Sequence, residues 1–426
     1  MLLFRRICLV LAAVAALALV AGLATGSSPL WQPAAVVASI GLAIGLGALP
    51  AVASYQFTAW ILATVVCGLL YPHEVIHWGD VDLTNKWIRL VAVQMVMFGM
   101  GTQMGVRDFA GVLKQPWGVA VAVMSQFTVM PLVGWMLIKT FPLEPEIAAG
   151  VILIGSCSSG LASNVMCYIA KANLPLSVTA TACTTMLAPL MTPLWMKLLA
   201  GTLVSVSFVG MMTEIIKIVL VPIGAGLLHD WLKWASPAAT RRLKLAQAAC
   251  GTAVVLLFLT RDRWGALPPN VALLVELFGF LLGAVAFGVF YHQLTKLLPK
   301  LDGWMPVASM MGIMYFTSVT TAVGRDHLMR IGGVLFLVAA LHNAFGYILG
   351  YWLGRAGGLD RNSARTVAIE VGLQNGGMAS GLAGSMGKLA TVGLAAAVFG
   401  AWMNISGSIL ANYWKRRPVT PETPPS

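Results

Sequence analysis

The stretch Ala368–Gly377, AIEVGLQNGG, places one carboxylate (Glu370), two carboxamides (Gln374, Asn375) and three glycines (Gly372, Gly376, Gly377) inside a long apolar segment. A charged side chain in hydrocarbon is costly unless it is paired or meets a wet cavity, so an intramembrane acid marks a functional position. Glycines let a helix unwind locally and offer its carbonyls to a ligand. An acid and a break in one segment point to a binding site at membrane depth, with the remaining chain as its scaffold.

The composition agrees with that setting. The chain has 426 residues, 58% hydrophobic and only 10% charged, against roughly 25% charged in a soluble domain. Its apolar runs are too long for strands and do not alternate, which gives an all-α polytopic membrane protein. Runs at 7–24, 31–54, 57–71, 87–105, 117–140, 146–170 and 175–199 precede runs at 208–232, 245–259, 272–298, 305–323, 331–353, 363–386 and 389–414. By a span of ~20 residues this predicts about fourteen transmembrane helices, the run at 245–259 being short for one. The first run follows Arg5 and Arg6 like a signal peptide, but it is long and lacks a clean cleavage site, so a retained helix is expected. Residues 415–426 form a polar, proline-rich tail, expected to be disordered.

The net charge of +12 would raise nucleic acid as a partner in a soluble protein. Here the basic residues sit in short loops, and more of them fall on the side of the N-terminus, including Arg107, Arg241, Arg242, Lys244 and Arg355. They set topology, placing both termini in the cytoplasm, and imply no nucleic acid. The six cysteines lie in apolar runs without ligand spacing, so neither a disulfide framework nor a metal site is indicated. No HExxH or GxSxG occurs to support an enzyme.

The two halves look like copies, 1–202 and 203–414, each with a glycine-interrupted polar helix second from its end. Gln126 precedes Gly134-Trp135 by the interval at which His342 precedes Gly350-Tyr351. An odd number of helices per copy inverts the second, and inverted repeats with paired broken helices point to a secondary transporter whose site lies where the breaks meet.

The first break, Gly155–Gly160, holds serines between glycines, and Ser163 and Asn164 are expected to open the half-helix after it, as capping residues do. Ser177 and Thr181 are four apart, so their hydroxyls share a helix face. Oxygen donors from Ser, Thr, Asn, Gln, Glu and backbone suit a small hard cation and not a transition metal. Singly, such hydroxyls commonly bond their own backbone or join neighbouring helices. Glu276, the other intramembrane acid, lies in an unbroken run and is expected at an interface.

Residues 160–195 (GLASNVMCYIAKANLPLSVTATACTTMLAPLMTPLW), 370–383 (EVGLQNGGMASGLA) and 403–414 (MNISGSILANYW) closely resemble signature segments of the bile acid:sodium symporter family. The similarity extends through 97–116, 125–131 and 340–354, and covers most of 56–234 and 304–416. The resemblance implies a panel domain and a core domain, the core parts being about 115–202 and 330–414, with two discontinuous helices crossing near the midplane. It implies two sodium ions as coupling ions, with no other cofactor. One site would use Ser163, Asn164, Ser177, Thr181 and Glu370. The other would use Gln126, Glu370, Gln374 and the carbonyls of Val371 and Leu373. Asn375, Leu161, Ser159, Met403 and Asn404 would face an organic anion. The family's proline-glycine-glycine at the first break is replaced by Ser158, Ser159 and Gly160. Leu161 stands where a small hydroxyl residue is usual, and Met403 where His can occur. These departures leave the cation positions in place and put a bile-acid substrate in question. Relatives have about ten helices, and the extra ones are expected to fall symmetrically in the two repeats and enlarge the panel.

The expected function is sodium-coupled import of an organic anion, bile-acid-like or a small carboxylate, by alternating access in a bacterial inner membrane. The rivals are a proton-coupled carrier or exporter, in which Glu370 titrates, and a membrane sensor that binds without transporting.

Overall fold

A computed structural model describes residues 1–50 and 52–419; the tail from residue 420 lies outside the described residues. The chain is almost wholly helical, the exception being a two-residue hairpin that pairs His77-Trp78 with Val81-Asp82. Eleven helices among the described residues are long and apolar enough to cross a membrane. The first half gives α1 (Leu2–Ala24), α2 (Ser28–Gly45), α3 (Gln56–Leu70), α4 (Lys86–Thr102), α5 (Pro116–Thr140), α6 (Pro145–Ser156), α7 (Leu161–Ala170) and α8 (Leu174–Trp195). The second gives α9 (Phe208–Trp234), α10 (Pro237–Leu259), α11 (Pro269–Leu297), α12 (Leu301–Val323), α13 (Arg325–Ala356), α14 (Arg361–Gly372), α15 (Gly376–Ser385) and α16 (Val392–Lys415). The run expected to be short at 245–259 is a full-length helix, because the polar turn carrying Arg241, Arg242 and Lys244 continues the same helix below it.

The sequence explains the ends of the pieces. Prolines open α5, α6, α8, α10 and α11 in their first turn, where a missing amide hydrogen is harmless. Asn173, Asp360 and Asn375 cap α8, α14 and α15 by accepting backbone amides. Both interruptions lie in the expected stretches: α6 stops at Ser156 and α7 begins at Leu161, while α14 stops at Gly372 and α15 begins at Gly376. Ser163 and Asn164 do not open α7 but lie inside it, because Gly160, extended by its bridge to the other break, takes the cap position.

Packing divides the helices into two layers. One is a row in the order α1, α2, α3, α12, α4, α9, α11, α10. The other gathers α5, the pair α6/α7, α8, α13, the pair α14/α15 and α16 around the two breaks. The row reads the same outward from its centre, α12 against α4, but the chain does not. The outer hairpin α1–α2 precedes its inner neighbour α3, whereas the outer hairpin α10–α11 follows its inner neighbour α9. The two outer hairpins are therefore balanced in space and displaced in chain order, which hydropathy cannot distinguish. The second layer holds the buried core, and α10 at one edge of the row has no buried residue.

Candidate ion and substrate site

The two interruptions meet as a pair of extended segments. The Gly160 amide donates to the Leu373 carbonyl (3.0 Å) and the Asn375 amide to the Ser158 carbonyl (2.8 Å), with Ser159 opposite Gln374 as one antiparallel bridge. Breaking two helices frees backbone groups that hydrocarbon cannot satisfy, and here each break satisfies the other. Gly160 is needed for the approach: a Cβ there would stand 2.7 Å from the Gln374 carbonyl oxygen.

Behind the crossing lies Glu370, 1% exposed. Ser177 Oγ donates to Glu370 Oε1 (2.5 Å) and Thr181 Oγ1 to Oε2 (2.8 Å). Ser177 also reaches Asn164 Oδ1 (2.8 Å), Thr181 reaches the same oxygen (3.3 Å), and Ser163 Oγ lies 3.3 Å from Thr181 Oγ1. Five side chains from α7, α8 and α14 thus converge, bringing a carboxylate, an amide oxygen and three hydroxyls into one buried cluster with no His or Cys ligand in it. Among the described residues no group of His, Cys, Asp and Glu is arranged to hold a metal ion. Hard oxygens of this kind fit an alkali cation.

A second polar group sits on the α5 side. Gln126 Nε2 donates to Gln374 Oε1 (2.8 Å) and to the Cys157 carbonyl (2.9 Å), while Gln126 Oε1 is buried without a hydrogen-bond partner. Gln374 Nε2 donates to the Val371 carbonyl (2.6 Å), and the Leu373 carbonyl takes the Gly160 amide. Carbonyl oxygens keep a second lone pair, so those bonds leave room for a cation contact. Asn343, which the sequence reading passed over, donates to the Gly372 carbonyl (2.7 Å). Cys157 and Gly372 each lie three residues before the cap of the following helix, so Gln126 and Asn343 make like bonds to the two breaks. The residue before it, His342, bonds the Met130 carbonyl instead (2.8 Å).

Between the crossing and the row of helices is a narrow cavity of about 80 Å³. Leu161, Asn375, Met403 and Asn404 line it, together with Met97, Met100, Ser309 and Thr317 of the row. Ser159 does not line it: its hydroxyl turns back to donate to the Glu370 carbonyl (3.1 Å), because the bridged segment alternates its side chains between faces. The first turns of α7 and α15 both open on the cavity, through Gly160–Ala162 and Asn375–Gly377, and no charged side chain lines it. Two helix N-termini supply amide donors and positive dipole ends there.

A polytopic helical protein whose two broken helices cross beside a buried acid has the build of a secondary transporter. Comparison with known proteins defines it further. The model of the sodium bile acid symporter family matches residues 90–262. The chain is 32% identical over 366 residues to the "Uncharacterized sodium-dependent transporter YocS" of Bacillus subtilis (strain 168), covering 86% of this chain and 92% of that protein. It is 29% identical over 362 residues to the "Probable sodium/metabolite cotransporter BASS2, chloroplastic" of Oryza sativa subsp. japonica, covering 85% of this chain and 70% of that protein. It is 29% identical over 293 residues to the human "Ileal sodium/bile acid cotransporter", covering 67% of this chain and 65% of that protein. The chain belongs to the sodium bile acid symporter family.

Proposed function

We propose that the protein is a sodium-coupled symporter that imports a small organic anion by alternating access. The observation that carries this reading is the convergence of Ser163, Asn164, Ser177 and Thr181 on the Glu370 carboxylate, directly behind the crossing. One sodium ion sits among those oxygens. A second is held by Gln126, Glu370, Gln374 and the Val371 and Leu373 carbonyls, towards which the unpartnered Gln126 Oε1 is available. Each ion offsets the charge of Glu370 and ties α14 to α7 or α5, so the crossing is ordered when sodium is bound. Ordering sets the first turns of α7 and α15, whose amides then receive the carboxylate or sulfonate of the substrate.

The cavity favours a small anion over a steroid, being well below the ~300 Å³ at which drug-sized ligand sites begin. Residues 1–202 and 203–414 act as inverted repeats. Their core parts, about 115–202 and 330–414, move against the panel so that the cavity faces each side in turn. Both termini are cytoplasmic, and the membrane is a bacterial inner membrane.

The test is uptake by proteoliposomes of radiolabelled organic anions, from steroid conjugates to small keto and hydroxy acids. An inward sodium gradient is compared with a proton gradient at equal membrane potential. Accumulation with sodium and not with choline supports the proposal. Accumulation driven by the proton gradient alone would transfer the coupling to Glu370 titration. Binding without accumulation would leave a sensor.

A further inference from the structure

We infer that the face of the panel turned away from the core carries a binding site for an acidic phospholipid, seated between α4 and α12. A groove of about 490 Å³ opens there, lined by Trp87, Ile88, Val91, Met95, Met311 and Tyr315 with Ala92 and Gly312 among its lining residues. It is separate from the transport cavity. On α4, Trp87, Val91 and Met95 recur every fourth residue along one face, whereas Val96, Met97 and Met100 line the cavity. Nothing polar lines the groove except the two ring-borne groups at its rim, and its walls are exposed: Val91 is 66% and Met311 58% exposed. Its shape and chemistry fit an acyl chain.

The rim says which lipid. Trp87 is flanked by two cations, Lys86 Nζ at 5.4 Å and the Arg261 guanidinium at 5.3 Å from its ring. Arg261 comes from the turn after α10, so the additional hairpin reaches back across the row to this point. No carboxylate pairs with Lys86 or Arg261 among the described residues. Both sit at the helix ends where headgroups lie, and Trp and Tyr are the side chains that favour that depth. Unneutralised cations over an apolar slot select a negatively charged headgroup, each contributing to retention in proportion to its closeness to the surface. A zwitterionic lipid would satisfy the groove but not the rim. The site lies in the leaflet at the N-terminal end of α4, the outer leaflet in the topology proposed above, although its occupancy does not depend on that orientation.

The full-length protein, purified in detergent, is exposed to phosphatidylglycerol or to phosphatidylcholine of identical chains, and retained lipid is counted by native mass spectrometry. The wild type is expected to retain phosphatidylglycerol about tenfold better than phosphatidylcholine. The Lys86→Glu/Arg261→Glu double variant loses that preference and leaves phosphatidylcholine unchanged; Met311→Trp, which fills the groove, lowers both. If the reversed pair folds poorly, Lys86→Gln/Arg261→Gln serves, with the preference reduced. Equal retention of the two lipids by the wild type, or an unchanged preference in the charge variants, would mean annular lipid only and would overturn the site.

Discussion

Glu370→Gln separates the charge of the site from its shape. The carboxylate is buried and each oxygen accepts one hydroxyl, from Ser177 and Thr181. A carboxamide of the same size keeps one acceptor and turns the other position into a donor, towards a hydroxyl that can rotate to accept. The polar contacts therefore survive, while the negative charge that a cation would need does not. Removing one partner of a desolvated charge pair costs about 3–5 kcal/mol, and each ~1.4 kcal/mol is tenfold, so sodium affinity should fall by at least ~100-fold and up to a few thousand-fold. Sodium at ~100 times the dissociation constant of the wild type stabilises the folded protein by about 2.7 kcal/mol; a site weakened ~100-fold keeps roughly 0.4 kcal/mol at the same concentration. The assay is thermal unfolding in detergent with sodium or choline, followed by uptake in proteoliposomes. The variant should unfold in choline at or above the wild-type temperature, lose most of the sodium-dependent shift, and fail to accumulate substrate. A Glu370→Gln protein that keeps the full sodium shift would refute the reasoning, whatever its transport rate.

Three further outcomes follow from particular contacts. Gly160→Ala forces a methyl group against the Gln374 carbonyl at 2.7 Å, so the crossing should open at a cost of about 1–3 kcal/mol, read as a lower midpoint in both salts with a lost sodium increment. Lys217, 6% exposed in the α9 span, pairs with Glu214 and with Glu276 of α11 (3.2 Å). Lys217→Met leaves two partly exposed carboxylates unpaired and should cost roughly 1–3 kcal/mol, half of it recovered by adding Glu276→Gln, as a double-mutant cycle would measure. Asp360, in the loop before α14, is pushed upward by partial burial and held below the usual carboxylate range by bonds from Ser363 and the Asn362 and Ser363 amides. Its stabilisation is thus present above the unfolded value near ~3.9 and lost as pH falls through the lower folded value. Asp360→Ala should cost about 1 kcal/mol at pH 7 and nothing in strong acid, measured by unfolding across pH.

Much of this site could be read from residue types because a membrane makes exceptions conspicuous. Glu370 in an apolar run, with glycines close behind it, had few meanings. The interruptions at Cys157–Gly160 and Leu373–Asn375 fall where Gly, Ser and Asn displaced helix formers. Ser177 and Thr181 were placed on one helix face by spacing alone, and both reach Glu370. What spacing could not supply was the pairing of elements distant in the chain. Ser159 looked like a cavity residue because its register against Gln374 exists only once the two breaks are laid side by side. Asn343 carried no signal beyond its residue type, because its bond to the Gly372 carbonyl depends on how α13 lies against the second break.

The panel shows why hydropathy stops short of architecture. Between apolar helices in lipid no hydrophobic gain selects a neighbour, so the choice falls to shape and to the few polar groups that must be matched. The sequence marks α10 and α11 as apolar without saying which edge of the row they join. The polar contacts settle it. Glu276 of α11 meets Lys217 of α9, and Tyr291 of α11 donates to Asp302 at the start of α12 (3.0 Å), an acid that also takes Lys233 and His229 from α9. Glu276 was expected to face an interface, and it does, as the ion-pair partner of the one lysine buried in the α9 span. The added contacts hold α11 at two levels along its length, to α9 and to the start of α12. With α11 fixed in this way beside α9, the turn between α10 and α11 brings Arg261 over the Trp87 ring of α4.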